Sequence, residues 1–127
     1  MKFRKAAANA VVLILLATAV YMSGADTATV TVKGYVLDSA CAFTKDLNKP
    51  ISKQCATACA NAGSPLVILA DDRTIYWPIA DTTPLSGQNA KLLPFAGDKV
   101  LASGKVYERG GSKALLIEKI EAQAAKK

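Results

Sequence analysis

All three cysteines of the chain, Cys41, Cys55 and Cys59, fall inside the single run CAFTKDLNKPISKQCATACANAG, residues 41–63, and the 127-residue sequence contains no histidine. Three sulfurs at this spacing can do one of three things. Two can join in a disulfide while the third stays a small buried hydrophobe. All three can hold a soft ion such as Cu(I), because thiolates are soft ligands and three suffice for a trigonal site. Or a leftover thiol can exchange with a neighbouring disulfide. The lack of histidine and of a fourth cysteine weighs against the closed four-ligand site of structural zinc. A bridge from Cys41 to Cys59, or with Cys55 as the alternative partner, would close a loop that is worth about 3 kcal/mol in the loop-entropy model. A Cys55–Cys59 bridge would tie positions that one helical turn already orders. The spacing therefore favours a Cys41–Cys59 staple, with no cofactor. The alternative is a copper site or thiol-redox centre built on Cys41, Cys55 and Cys59.

No conventional catalytic set accompanies the thiols. There is no histidine to serve as base and no glycine-rich phosphate loop, and Asp71-Asp72 sit at a predicted hairpin turn. Asp38, at the end of the first strand pattern, could supply an oxygen ligand to a harder ion, but a lone Asp near a strand end more often serves as a turn or cap. The sequence thus points away from an enzyme and towards a binding or accessory module. Its partner would be an envelope protein or a small ligand.

The compartment is set by the start of the chain. Lys2, Arg4 and Lys5 precede the apolar run 6–22, which ends in Ser23-Gly24-Ala25. This order predicts a secretory signal peptide over 1–25, cleaved after Ala25, and an exported, periplasmic or secreted domain over 26–127. The alternative is an uncleaved N-terminal anchor, with residues 6–22 as the only contact with a membrane. Over 26–127 there are thirteen Lys and Arg against ten Asp and Glu, a net charge of +3 with the cations scattered. That balance weighs against nucleic acid as a partner. The length allows one domain with a modest core, for which a disulfide is a useful addition.

The elements that must position the cysteines read as mainly β with one helix. Strands are predicted over 27–38, 66–70, 73–79, 98–109 and 112–122, from β-branched and alternating apolar residues bounded by turn residues. Gly34 marks a bulge or bend in the first strand, and Gly110-Gly111 a two-residue hairpin turn. The segment 81–97, with Pro84, Gly87, Pro94 and Gly97, permits at most a short helix. The helix lies over 50–62, with Pro50 in its first turn and Gly63 after its last. Ile51, Cys55, Cys59 and Ala62 share one face of it, which predicts that both helical sulfurs point into the core. Tyr76 and Trp77, adjacent on a strand, must face opposite ways, so one of them is a candidate stacking platform for a ligand.

Within this pattern the run GDKVLASGKVYERGGSKALLIEKIEA, 97–122, resembles the closing hairpin of an OB-fold, with a strand of the form G-x-x-V-x-x-x-G-x-V and a glycine turn. The stretch Gly34 to Cys41, followed by a helix with paired cysteines, is similar to that of small exported bacterial proteins. The resemblance implies a small five-stranded OB-like barrel covering most of 27–122, and no particular activity. One departure stands out: an OB-fold places its helix between strands three and four, and the helix read here lies between the first two.

Overall fold

The structure, a computed structural model, describes residues 28–45 and 51–124. Five strands, β1 (Thr29–Asp38), β2 (Leu66–Ala70), β3 (Ile75–Ile79), β4 (Lys99–Arg109) and β5 (Ser112–Ala122), close into a barrel in the order β1-β2-β3-β5-β4. This is compatible with an OB-like architecture. The hairpin pairs are antiparallel, and closure comes from a parallel pairing of β3 with β5, from Tyr76 opposite Lys113 to Ile79 opposite Leu116.

Strand β1 serves two neighbours. Its first part pairs with β4, from Thr29 opposite Lys105 to Tyr35 opposite Lys99, and its end pairs with β2, from Gly34 opposite Ala70 to Asp38 opposite Leu66. Gly34 stands where the two ladders overlap. A Cβ there would run into the carbonyl of Leu69, so the close crossing of the strands requires the glycine. Of the bulge or bend expected at Gly34, no bulge is found in β1; the register shift falls in the β4–β5 pair, where Ser103 faces Lys119 and Gly104 faces Ile117, leaving Glu118 of β5 over. At the β4–β5 turn, Gly110 and Gly111 have φ of 57° and 79°, the paired positive values expected of this two-residue loop.

Alternation fills the barrel. Val32, Val36, Leu66, Ile68, Val100, Ala102, Leu115 and Ile117 point inward, with Tyr76 and Val106 packed beside them. A second apolar cluster forms outside the barrel wall from Leu37, Val67, Leu69 and Ala42, with Tyr35, Ile75 and Trp77 against it. Strand β2 is therefore buried on both faces. This is why LVILA reads as an unbroken apolar run instead of an alternating one.

Among the described residues three α-helices and a 3-10 turn accompany the strands, where the sequence predicts one helix and permits a short one over 81–97. Helix α1 (Ser39–Thr44) follows β1 directly and covers the outer cluster through Ala42; α2 (Lys53–Asn61) precedes β2; α3 (Gln88–Leu92) runs into the 3-10 turn Leu93–Phe95 between β3 and β4. Leu92, fully buried, packs on the barrel core. The helix between strands three and four is thus present as α3, and α2 is an addition to it. Helix α1 escaped the sequence reading because six residues are too few to show a 3.6-residue period. Among the described residues no helix is long and apolar enough to cross a membrane. The segments expected as signal peptide (1–25) or anchor (6–22), and Pro50, lie outside the described residues.

Candidate functional site

Both helices that carry cysteines are capped by their own sequence. Asp38 is the N-cap of α1, its Oδ1 accepting from the Cys41 amide at 2.8 Å. Ser52 is the N-cap of α2, its Oγ accepting from the Cys55 amide at 3.1 Å. Cys41 and Cys55 therefore occupy the same position, three residues past a cap, in two successive helices. Helix α2 stops at Gly63, whose φ of 98° is left-handed. The Ser64 amide donates to the Cys59 carbonyl at 3.1 Å and the Gly63 amide to that of Ala60 at 3.0 Å, a Schellman ending. Beyond it, Asn89 of α3 holds the next turn from both sides: its Oδ1 accepts from Leu66 N at 2.8 Å and its Nδ2 donates to Ser64 O at 2.7 Å.

The phase of α2 differs from the one read in the sequence. Starting at Lys53 and not at Pro50, the helix buries Ala56 completely and packs Ala60 on the barrel core. Cys55 is exposed and Cys59 half-buried. Two features set this phase. Small alanines let the helix lie close to β1, and Gly97 presses against the Lys53 backbone where a Cβ would overlap it. Lys53 itself reaches away, its Nζ 2.9 Å from Asp98 and 3.4 Å from the Pro94 carbonyl. Ile51 precedes the helix and packs on the outer cluster.

This rotation turns the sulfurs of α2 towards α1 rather than into the core. Cys55 and Cys59 come within 4.4 Å of each other. Cys59 interacts in turn with the half-buried Cys41, whose thiol stands against the Asp38 carboxylate. All three cysteines are free thiols in this structure, so the expected Cys41–Cys59 bridge is not formed here. Burial pushes the Cys41 thiol up, as do its hydrogen bond to Asp38 and the negative charge there. Cys59 is raised first by burial and then by the neighbouring Cys55 and Asp38.

Asp38, read from the sequence as a turn or cap residue, is the cap of α1 and stands beside the thiols. It is 3% exposed, the one buried charged side chain among the described residues. Burial pushes its carboxyl up, but hydrogen bonding outweighs this and holds it below the ordinary value; the Cys41 amide contributes most, then the Ser64 hydroxyl and the Cys41 thiol. Its Oδ2 is nevertheless buried with no hydrogen bond of good geometry. An unsatisfied buried acceptor costs about 1–3 kcal/mol, so its retention calls for an explanation. Among the described residues, no group of three or more His, Cys, Asp or Glu side chains is placed to hold a metal ion.

The aromatic pair divides as expected. Tyr76 packs on the barrel core and Trp77 on the outer cluster. Neither is fully open. The ring exposed beside Trp77 is that of Phe43 on α1, 67% exposed and tilted over it with centroids 6.4 Å apart. Covered in this way, Trp77 is a weaker stacking platform than its sequence suggested. Phe43 went unnoticed because its helix did.

Compared with known proteins, the chain matches no family model, no curated protein and no solved structure.

Proposed function

We propose that this chain is an exported, non-catalytic binding or accessory module of the cell envelope, with the barrel as scaffold and the thiol corner of α1 and α2 as the part that acts. One observation carries the reading. All three cysteines, from two separate helices, converge with the one buried carboxylate among the described residues at a single corner outside the barrel. Of the three, Cys41 also packs against the outer apolar cluster.

In an oxidising compartment the Cys41 and Cys59 sulfurs close as a staple that locks α1 to α2. Exposed Cys55 then remains as the free thiol, on the surface where a small ligand or an envelope protein would meet the module. Export rests on the basic, apolar and small-residue order of 1–25, and N-terminal sequencing of exported protein should begin at Asp26. The corner is tested by mild oxidation of reduced protein with oxidised glutathione, followed by thiol counting and peptide mapping. The expected product is a Cys41–Cys59 bridge with one free thiol, Cys55. Three thiols that stay free and react independently would refute the corner as a unit.

A further inference from the structure

We infer that the reduced corner is oxidised by an outside disulfide through Cys55, and that the oxidation passes inward from Cys55 to Cys59 and from Cys59 to Cys41. This rests on the thiol corner being the working part of the module, and it names the partner by class: a molecule that carries a reactive disulfide.

Access and spacing set the order. Cys55 is exposed, whereas Cys41 and Cys59 are half-buried and Cys41 packs on the outer cluster. A disulfide arriving from solvent therefore meets Cys55 first, and exchange begins at the sulfur that can be reached. Cys59 lies one helical turn further along α2, within 4.4 Å of Cys55, and its thiol interacts with those of both Cys55 and Cys41. It stands between the sulfur that solvent reaches and the sulfur on α1.

The two bridges open to Cys59 set the direction. Residues four apart in a helix hold their Cβ atoms about 5–6 Å apart, whereas a relaxed disulfide needs about 3.5–4.5 Å. A Cys55–Cys59 bridge is thus strained and easily reopened, and it closes no loop that the helix has not already ordered. A Cys41–Cys59 bridge joins two helices and constrains the chain between them. Burial and the Asp38 carboxylate also make Cys41 a poor place for a thiolate, hence a poor leaving group, so a bridge at Cys41 resists reversal.

Three exchanges complete the transfer. The Cys55 thiolate attacks one sulfur of the outside disulfide, a mixed disulfide forms, and the other outside sulfur leaves and takes up the proton that Cys55 gave to solvent. The Cys59 thiolate then attacks Sγ of Cys55, forming the Cys55–Cys59 bond, and the second outside sulfur leaves as a thiol. Finally Cys41 loses its proton and attacks Sγ of Cys59, the Cys41–Cys59 bond forms, and Cys55 leaves and is protonated again. In sum one outside disulfide is reduced to two thiols, the Cys41 and Cys59 thiols are oxidised to one disulfide, and Cys55 returns to its starting state.

The probe is oxidised glutathione, added to the reduced full chain, with acid-quenched samples mapped by mass spectrometry. Glutathione should appear first on Cys55 and then give way to the Cys41–Cys59 bridge. Cys59→Ser should trap glutathione on Cys55. Cys55→Ser should form the Cys41–Cys59 bridge about tenfold more slowly or worse, since only the less accessible thiols remain. Diamide, a small oxidant that does not depend on an entry thiol, should still close that bridge in the same variant. Circular dichroism checks that each variant is folded. Replacing glutathione by oxidised protein disulfide isomerase separates the two sources of disulfide, and the faster of the two names the natural class. Glutathione landing first on Cys41 or Cys59, an unchanged rate in folded Cys55→Ser, or failure of diamide to bridge that variant would each overturn the inference. If any of these occurs while the wild type still forms the Cys41–Cys59 bridge, the route is refuted and the corner stands. If the wild type forms no such bridge with either oxidant, both fall.

Discussion

At the scale of single residues, Asp38 has two tasks that pull against each other. Its Oδ1 caps α1, and bonds from the Ser64 and Cys41 side chains add to this in favour of the ionised form, while its burial disfavours charge. Because the net effect is a lowered carboxyl, the folded state binds its proton less readily than the unfolded chain does. Its contribution to stability is present above the ordinary carboxylate range of about 4 and is lost as pH falls through the lower folded value. Acid unfolding of the wild type should therefore be steeper than that of Asp38→Asn, which keeps a capping side chain but cannot ionise. Equal pH slopes in urea titrations of the two proteins would refute this. Cys41 has the opposite sign: its thiol is raised, so its contribution is intact below the ordinary thiol value of about 8.5 and falls as pH climbs past it. Cys41→Ala should flatten the alkaline side of the stability profile.

At the scale of elements, α2 shows how little separates one helical face from another. Moving the start of the helix from Pro50 to Lys53 exchanges two cysteines for two alanines on the packed side. The closeness of that packing is testable. Ala56→Leu, at a fully buried position against the barrel, should cost about 1–3 kcal/mol by overpacking, read from urea unfolding. The same change at exposed Ala58 should be almost neutral. The β4–β5 hairpin offers an independent check. Both turn glycines have open space where a Cβ would lie, so Gly110→Val and Gly111→Val act through the positive φ alone. Each should lower thermal stability. Unchanged melting in both would mean that the turn adjusts its backbone freely.

At the scale of the whole molecule, two apolar clusters share one wall. The interior fills from all five strands and is joined by Leu92 of α3, while the outer cluster is covered by α1. Leu92→Ala removes a fully buried side chain and should cost about 2–5 kcal/mol. Leu92 belongs to the barrel core and not to the outer cluster on which Cys41 packs, which is the useful contrast. The thiol pattern after mild oxidation should persist in any Leu92→Ala protein that remains folded, whereas a variant of α2 that shifts the helix should change it.

The sequence by itself determined the strands closely. LVILA, the glycine turn and the long closing hairpin all lie where local composition put them, because period and turn chemistry are local properties. It also determined that the thiols would group, since all three sit in one short run. Only the tertiary structure decided the rest. The parallel β3–β5 pairing joins segments that say nothing about each other in sequence. The phase of α2 follows from which side chains are small enough to lie against β1, a property of the neighbour as much as of the helix. Asp38 reads as an ordinary cap until α1, the Ser64 turn and the Cys41 thiol close over it. The charge of Asp38 is thus kept by hydrogen bonds against the effect of burial, and neither the bonds nor the burial is written at any single position of the chain.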